Sequence, residues 1–321
     1  MVKKVGILTS GGDAPGMNAA VRAVVRAGIK AGLTMYAIYD GYKGLVEGKI
    51  EEVDRNFVSD TINRGGTILH TARLPEFKEE LIQNMAIKQL QAYDIDSLIV
   101  IGGDGTFRGA ADLSKKGINT IGIPGTIDND IACTDYTIGF DTCLNTIVGC
   151  VDKIRDTTTS HKRCTIIEVM GNKCGDLAIY SGVSEGVEMV VSRDMPMSEE
   201  EIFAKLKSLK GGKKGHSLVI VSEKLFDNVY DFAKRVTEAT GIETRAEVLG
   251  HLQRGGSPSA RDRIIASRFG VAAINALLEG KSSVVVAMKN EKIITVDIAE
   301  AVAMKREPNK ELLHIISTIN R

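Results

Sequence analysis

Short runs of consecutive apolar residues, "VGILTS", "YAIYD", "SLIVIGG", "TIGIPG", "CTIIEVMG", "SLVIVSE" and "SVVVAM", alternate along the chain with longer stretches of helical periodicity. A strand that is apolar at nearly every position is buried on both faces. Such strands separated by amphipathic helices predict a largely parallel sheet flanked by helices, so the predicted class is α/β. In sheets of this kind ligands bind beyond the carboxyl ends of the strands, where loops and helix N-termini gather. Polar chemistry should therefore follow each apolar run.

It does. "VGILTS" is followed by "GGDAPGMN", "SLIVI" by "GGDGT", "TIGI" by "PGTIDND", "CTIIEV" by "MGN", and "SLVIVS" by Glu223. The starts of the same runs carry little besides lysines and loops, which favours one functional face over scattered turns.

In "GGDAPGMNAAVRAVVRAGIKAG", Gly11 and Gly12 free the backbone and let a bulky anion approach it, while Pro15 suits the first turn of the helix that follows. A phosphate there would meet free N–H groups and the positive end of the helix dipole. A tight strand-to-helix turn reads this segment equally well. No lysine completes G-x-x-x-x-G-K-[ST] and no G-x-G-x-x-G is present, which argues against a P-loop or a dinucleotide fingerprint. In "IGGDGTFRGAADL", glycines around Asp104 leave room for a triphosphate, Asp104 can reach magnesium directly or through its waters, and Thr106 either caps the next helix or touches phosphate. In "IPGTIDNDI", Asp and Asn side chains could simply fold back on a turn.

Composition narrows the classes. Of 321 residues, 43% are hydrophobic and 26% charged, as in ordinary soluble proteins, and the length suggests roughly two domains. Lys plus Arg equals Asp plus Glu at 41 each, which removes the global positive field of a general nucleic-acid binder. Any anion site must be local. Cys133, Cys143, Cys150, Cys164 and Cys174 are odd in number and form no C-x-x-C pair, so core thiols are expected rather than disulfides or zinc. The apolar run in "MVKKVGILTSGG" is too short for a signal peptide or a membrane span, and the cytoplasm is the expected location.

Taken in order, "LTSGGDAPGMNAA", "RGGTILHTAR", "VIGGDGT", "PGTIDND", "VMGN" and "GHLQRGGSPSARDR" resemble the bacterial ATP-dependent 6-phosphofructokinase family over essentially the whole chain. The resemblance implies two doubly wound, largely parallel-sheet domains, the second inserted into the first. The larger, ATP-binding domain is expected over 1–138 and 252–305, and the smaller, sugar-phosphate-binding domain over 139–251 and 306–321. It also implies a homotetrameric glycolytic transferase that phosphorylates fructose 6-phosphate at its 1-hydroxyl with Mg-ATP.

Residue roles follow from the same resemblance. Gly12 sits beside ATP, Arg73 contacts the nucleotide phosphates, and Gly103, Asp104, Gly105 and Thr106 hold the triphosphate, with Asp104 serving magnesium. Asp128 is the base that takes the proton of the attacking hydroxyl, supported by Thr126 and Asp130. The sugar phosphate falls to Thr126, Ile127, Asp128, Met170, Gly171, Asn172, Glu223, His251 and Arg254, with Arg163 and Arg245 reaching in from a neighbouring subunit. Arg22 and Arg26 lie four apart on one helix and share a face. With Arg55, Arg155, Glu188, Lys214 and His216 they match residues that bind an ADP-type effector. Gly212 and Gly215 depart from the usual pattern of that basic loop.

Position 172 departs as well. Asn172 stands where the common bacterial pattern has arginine, so a positive charge near the transferring phosphate is missing, and a charge-assisted contact is about twice as strong as the hydrogen bond asparagine offers. From sequence, Asn172→Arg is expected to speed the chemical step. Three other readings compete. Pyrophosphate-dependent relatives typically carry aspartate at Gly105 and lysine at Gly125, whereas both are glycine here. NAD and diacylglycerol kinases share "GGDGT" but lack "PGTIDND" and "GHLQRGGSP". A catalytically silent nucleotide sensor is disfavoured by Asp104 and Asp128.

Overall fold

The structure is a computed structural model that describes residues 3–212 and 214–319, so the outermost residues of the expected domain ranges lie outside it. The first half of the chain runs β1 (Lys4–Thr9), α1 (Met17–Lys30), β2 (Thr34–Ile38), α2 (Gly41–Glu47), β3 (Ile50–Val53), α3 (Glu80–Ala92), β4 (Ser97–Gly102), α4 (Asp104–Lys115), β5 (Asn119–Pro124) and α5 (Phe140–His161). Then come β6 (Cys164–Val169), α6 (Asp176–Glu185), β7 (Met189–Val191), α7 (Glu199–Leu209), β8 (Ser217–Ser222), α8 (Val229–Thr240) and β9 (Thr244–Val248). The remaining elements are α9 (Ala260–Leu278), β10 (Val284–Lys289), β11 (Lys292–Asp297), α10 (Ile298–Ala303) and α11 (Lys310–Ile319). The chain divides into two compact units, residues 1–142 with 254–306, and residues 143–253 with 307–321.

The first unit holds a seven-stranded sheet in the order β11-β10-β5-β4-β1-β2-β3. Its five central strands pair in parallel, and β3 and β11 add antiparallel edges. β4 is buried along its whole length, as its unbroken apolar run requires. The chain winds from β1 to β2 on one side and to β4 and β5 on the other. The carboxyl ends of β1 and β4 therefore flank the point where strand order reverses, where such sheets bind ligands. Helices α1 and α9 approach closely because Gly270 lacks a side chain: a Cβ there would lie 2.6 Å from that of Ala23.

The second unit is built on a parallel four-stranded sheet, β7-β8-β6-β9. Its core joins Ile166, Val219 and Val221 of the sheet to Leu206 of α7 and Phe232 of α8. Ser198 and Glu201 close a reciprocal capping box that starts α7. The fold is thus α/β, with parallel sheets in both units.

Two local expectations change. The run "YAIYD" leaves the sheet after Ile38, because Asp40 turns left-handed (φ 56°) to begin α2. Pro15 lies outside α1, which starts at Met17 behind Gly16 (φ 107°), so the proline shapes the approach to the helix and not its first turn. Of the five cysteines, Cys150 is half-buried and the other four are buried, and all are free thiols.

Candidate active site

In the first unit, strand register alone brings the glycine-rich loops together. Thr9 pairs with Ile101 and Gly102 with Pro124, so the loops after β1, β4 and β5 leave the sheet side by side. Main-chain and hydroxyl hydrogen bonds join them: the Ser10 N–H donates to the Ile101 carbonyl at 3.0 Å, Thr106 Oγ1 to the Ser10 carbonyl at 3.0 Å, and the Gly125 N–H to the Gly102 carbonyl at 3.0 Å. Thr106 is 3% exposed, and that bond, not a helix cap, is the use of its hydroxyl. Gly102 is required for packing, since a Cβ there would meet Thr106 Oγ1 at 2.3 Å.

Gly103 and Gly105 face outward. A Cβ on Gly105 would touch nothing within 4 Å, and one on Gly103 would meet only Thr126, at 3.9 Å. Gly103 is the N-cap of α4, so the unpaired N–H groups of the first turn open onto this space, a ready anion cradle. Asp104 opens the helix with an exposed carboxylate, an oxygen donor of the kind magnesium prefers. The residues present therefore fit a metal-bound triphosphate. Here the Asp104 carboxylate accepts from Arg108 Nε at 2.8 Å and Nη2 at 3.4 Å.

Residues not anticipated from sequence stiffen this cradle. Buried Tyr42 donates its hydroxyl to the Thr106 carbonyl at 2.6 Å and stacks on Phe77 with ring centroids 4.1 Å apart. Arg108 could have been found from its four-residue spacing to Asp104 on a helix, but Tyr42 had no sequence signal. The "RGGTILHTAR" segment is fastened to β1 and α1: Thr9 Oγ1 donates to the His70 carbonyl at 2.8 Å, Thr71 Oγ1 to the Gly11 carbonyl at 2.8 Å, and Asn18 Nδ2 to the Arg64 carbonyl at 3.0 Å. Arg73, two residues beyond Thr71, is exposed. Arg254 lies against the same loop, donating from Nη1 to the Asp13 carbonyl at 3.1 Å. Gly12 is required for that approach, because its Cβ would lie 2.4 Å from Arg254 Nη1.

The loop after β5 is closed on itself. The Thr126 N–H donates to the Ile138 carbonyl at 3.1 Å, Thr137 Oγ1 to the Thr126 carbonyl at 2.7 Å, and the Thr137 N–H to Asn129 Oδ1 at 3.1 Å. Asn129 takes the left-handed turn (φ 52°). The turn chemistry thus belongs to Asn129, while Asp128 is a carboxylate only 7% exposed, whose N–H donates to Thr126 Oγ1 at 3.2 Å. Ile127 is fully buried, so only its main chain can meet a ligand, and Asp130 is half-buried.

In the second unit a separate cluster forms at the carboxyl ends of β6 and β8. The Met170 N–H donates to Gln253 Oε1 at 3.0 Å, the Glu223 N–H to the Val169 carbonyl at 2.8 Å, and the Asn172 N–H to Glu223 Oε1 at 2.8 Å. Gly171 (φ 137°) passes so close to the Cys174 carbonyl that a Cβ would lie 2.5 Å from it. Burial, then the Glu223 charge, pushes the Glu168 carboxyl above its usual range. His251 is exposed. Within one chain Arg163 and Arg245 stand apart from this cluster. Arg163 precedes β6, and Arg245, ion-paired to Glu243 at 2.9 Å, is opposite Thr165, five residues or about 17 Å of strand from Met170.

The remaining candidates form two groups. In the first unit the Arg22 guanidinium is held below its ordinary value by burial and by repulsion from Arg26 and Arg55, so three cations share one patch. In the second, Glu188 accepts from Lys214 and, at 2.8 Å, from the Leu218 N–H, while His216 Nδ1 is 3.1 Å from the Lys214 carbonyl. Arg155 donates to the Glu185 carboxylate at 2.8 Å. Elsewhere in that unit Cys174, Asp176 and Asp194 offer ligand atoms within 4.8 Å of one another, but Asp194 already accepts the Gly175 N–H at 3.0 Å, as a loop contact would. No helix among the described residues is long and apolar enough to cross a membrane.

Comparison with known proteins places this geometry. The family model described as "Phosphofructokinase" matches residues 4–277. The chain is 52% identical over 323 residues to the ATP-dependent 6-phosphofructokinase of Clostridium botulinum (strain Alaska E43), and 49% identical over 320 residues to ATP-dependent 6-phosphofructokinase 1 of Clostridium perfringens (strain 13), with 100% of both chains covered in each pair. Among solved structures, phosphofructokinase from Saccharomyces cerevisiae superposes with a TM-score of 0.90 at 31% identity, covering 99% of this chain and 50% of that one. This chain thus spans about half the length of the yeast chain. A family model matched over most of the sequence, full-length relatives at about half identity, and a phosphofructokinase fold agree that the chain belongs to the phosphofructokinase family.

Proposed function

We propose that this protein is an ATP-dependent 6-phosphofructokinase, transferring the γ-phosphoryl group of ATP to the 1-hydroxyl of fructose 6-phosphate. The observation that carries the donor assignment is glycine at both Gly105 and Gly125, where pyrophosphate-dependent relatives typically carry aspartate and lysine; at Gly105 a Cβ would meet no atom within 4 Å, so packing does not dictate the glycine. Full-length relatives named as ATP-dependent enzymes support it.

The bond from the γ-phosphorus to the bridging oxygen of ADP breaks as the bond from the sugar's O1 to that phosphorus forms, and the O1 proton passes to Asp128. Burial of Asp128 suits a base that must act without competing water, and its N–H bond to Thr126 fixes the loop that carries it. Phosphoryl transfer depends chiefly on positioning and charge stabilisation, supplied by the α4 N-terminus, Gly103, Gly105 and Arg73 around the phosphates and by Gly12 beside the nucleotide. Magnesium bound at Asp104 would neutralise phosphate charge. Met170, Gly171, Glu223 and His251 orient the sugar, and Arg254 meets its 6-phosphate.

The larger domain (1–138 and 252–305) is assigned to the nucleotide and the smaller (139–251 and 306–321) to the sugar phosphate. Arg163 and Arg245, remote from Met170 within one chain, act in a homotetramer by completing a neighbour's site. The Arg22, Arg26 and Arg55 patch, with Arg155, Glu188, Lys214 and His216, takes an ADP-type effector whose phosphates relieve the repulsion among the guanidiniums. The reaction belongs to the cytoplasm. An assay of the purified protein with fructose 6-phosphate and either ATP or pyrophosphate tests the reading. Turnover with ATP is expected, and turnover with pyrophosphate alone would overturn it.

A further inference from the structure

The hydrogen bonds of the loop after β5 form a ring around Asp128. Thr126 Oγ1 accepts the Asp128 N–H at 3.2 Å, the Thr126 carbonyl accepts Thr137 Oγ1 at 2.7 Å, and Asn129 Oδ1 accepts the Thr137 N–H at 3.1 Å. Completed by the Asp128–Asn129 peptide bond, this ring starts and ends beside one carboxylate. Its braces are shielded from water, Thr137 fully and Asn129 all but 7%. Ile127 and Ile131 are buried as well, so the loop is packed along its length besides being cross-linked. Side chains locked in this way hold a neighbouring group to a narrow range of positions.

Position 129 meets three demands at once. Its backbone is left-handed (φ 52°), which glycine, asparagine and aspartate tolerate best. Its side chain accepts from a buried N–H, which glycine could not do. It lies between Asp128 and Asp130, where a further carboxylate would oppose the charge of a base, which disfavours aspartate. Asparagine alone of the three satisfies every demand. The acidic groups farther along the loop and on the helices that pack against it are already engaged: Asp135 pairs with Lys289, Asp141 accepts from Tyr136 and Ser259, and Asp262 holds Gly139 and Thr142. We propose that Asn129 and Thr137 are positioning residues that hold Asp128 in the geometry for proton removal. This inference rests on the kinase reading above, in which Asp128 is the base, and adds to it the residues that aim that base.

The test is steady-state kinetics of the full chain with ATP and fructose 6-phosphate across pH, with thermal melting to set a temperature at which every variant is folded. Asn129→Gly keeps the left-handed turn and loses the side-chain bond, while Thr137→Val keeps the shape and loses the hydroxyl. Each should lower kcat by about tenfold with the KM for ATP within about twofold of wild type. Thr137→Ser should recover most of the rate. Asn129→Asp keeps both the turn and the acceptor but adds a charge, so the acid limb of its kcat profile should move to higher pH, and above that limb it should outpace Asn129→Gly severalfold. The proposal is overturned if Asn129→Gly or Thr137→Val stays within about twofold of the wild-type kcat, if the loss falls on the KM for ATP instead, if Thr137→Ser is as slow as Thr137→Val, or if Asn129→Asp is as slow as Asn129→Gly at every pH. Asp128→Ala, assayed in parallel, separates this inference from the reading beneath it. A wild-type kcat there removes the base and this inference together, whereas a slow Asp128→Ala beside a fast Asn129→Gly removes this inference alone.

Discussion

Thr142 in the first turn of α5 is joined twice to one oxygen of Asp262 at the start of α9: its N–H donates to Oδ2 at 2.8 Å and its hydroxyl at 2.5 Å. The other oxygen accepts the Gly139 N–H at 2.9 Å. One fully buried carboxylate therefore satisfies N–H groups at the start of α5 that the helix itself cannot. It also secures the far end of the loop that carries Asp128.

Burial pushes the Asp262 carboxyl up to about 6, against the pull of the Thr142 and Gly139 donors. Its folded value lies above its unfolded one. Its contribution to stability is therefore complete below about pH 4 and declines as pH rises through about 6, by roughly 3 kcal/mol across the window. Asp262→Asn removes the titration and turns an N–H₂ toward backbone donors. Its Tm should fall below wild type at every pH, with the gap widest at about pH 4 and below, and narrower by pH 7.5. A gap that widens with pH would contradict the assignment.

Asp128→Ala removes the proposed base from a loop whose own hydrogen bonds run through Thr126, Asn129 and Thr137. The kcat should fall by about a hundredfold or more, with KM for ATP and Tm little changed. A kcat near wild type in steady-state assays would exclude this residue as the base.

Gly12→Ala places a methyl group 2.4 Å from the tip of Arg254, a flexible side chain that can move aside, and the backbone at Gly12 is not left-handed. The fold should survive. Arg254 should leave the Asp13 carbonyl, and KM for fructose 6-phosphate should rise by about tenfold, the worth of one charged hydrogen bond. Calorimetric binding of the sugar phosphate checks it, and unchanged affinity would uncouple Gly12 from Arg254.

Arg108→Gln frees the Asp104 carboxylate from its exposed ion pair. Direct titration with manganese in the presence of ADP should show tighter metal binding by at most about fivefold, the ceiling for a surface pair. Weaker binding would mean that Arg108 itself holds the phosphates.

Much of the fold was legible in the sequence because parallel strands buried on both faces must be apolar at almost every position. β4 and β8, read from "SLIVI" and "SLVIVS", are buried throughout. The candidate loops were legible for a related reason, since ligand-binding residues follow strand ends. Boundaries were less so: Gly16 and Asp40 take left-handed turns that moved the start of α1 and the end of β2, and composition does not announce which residue will take such a turn.

By itself, then, the chain's local pattern determined the class of structure, the segments that carry chemistry and the family to which they are similar. Only the tertiary structure decided which of those segments meet. Tyr42 reaches Thr106 across 64 residues, and Lys224 reaches Asn172 across 52. Periodicity records how each residue faces its own strand or helix, whereas these pairs depend on the order in which strands enter the sheet. That order is set by packing the whole set of apolar faces at once, and no single stretch of sequence contains it.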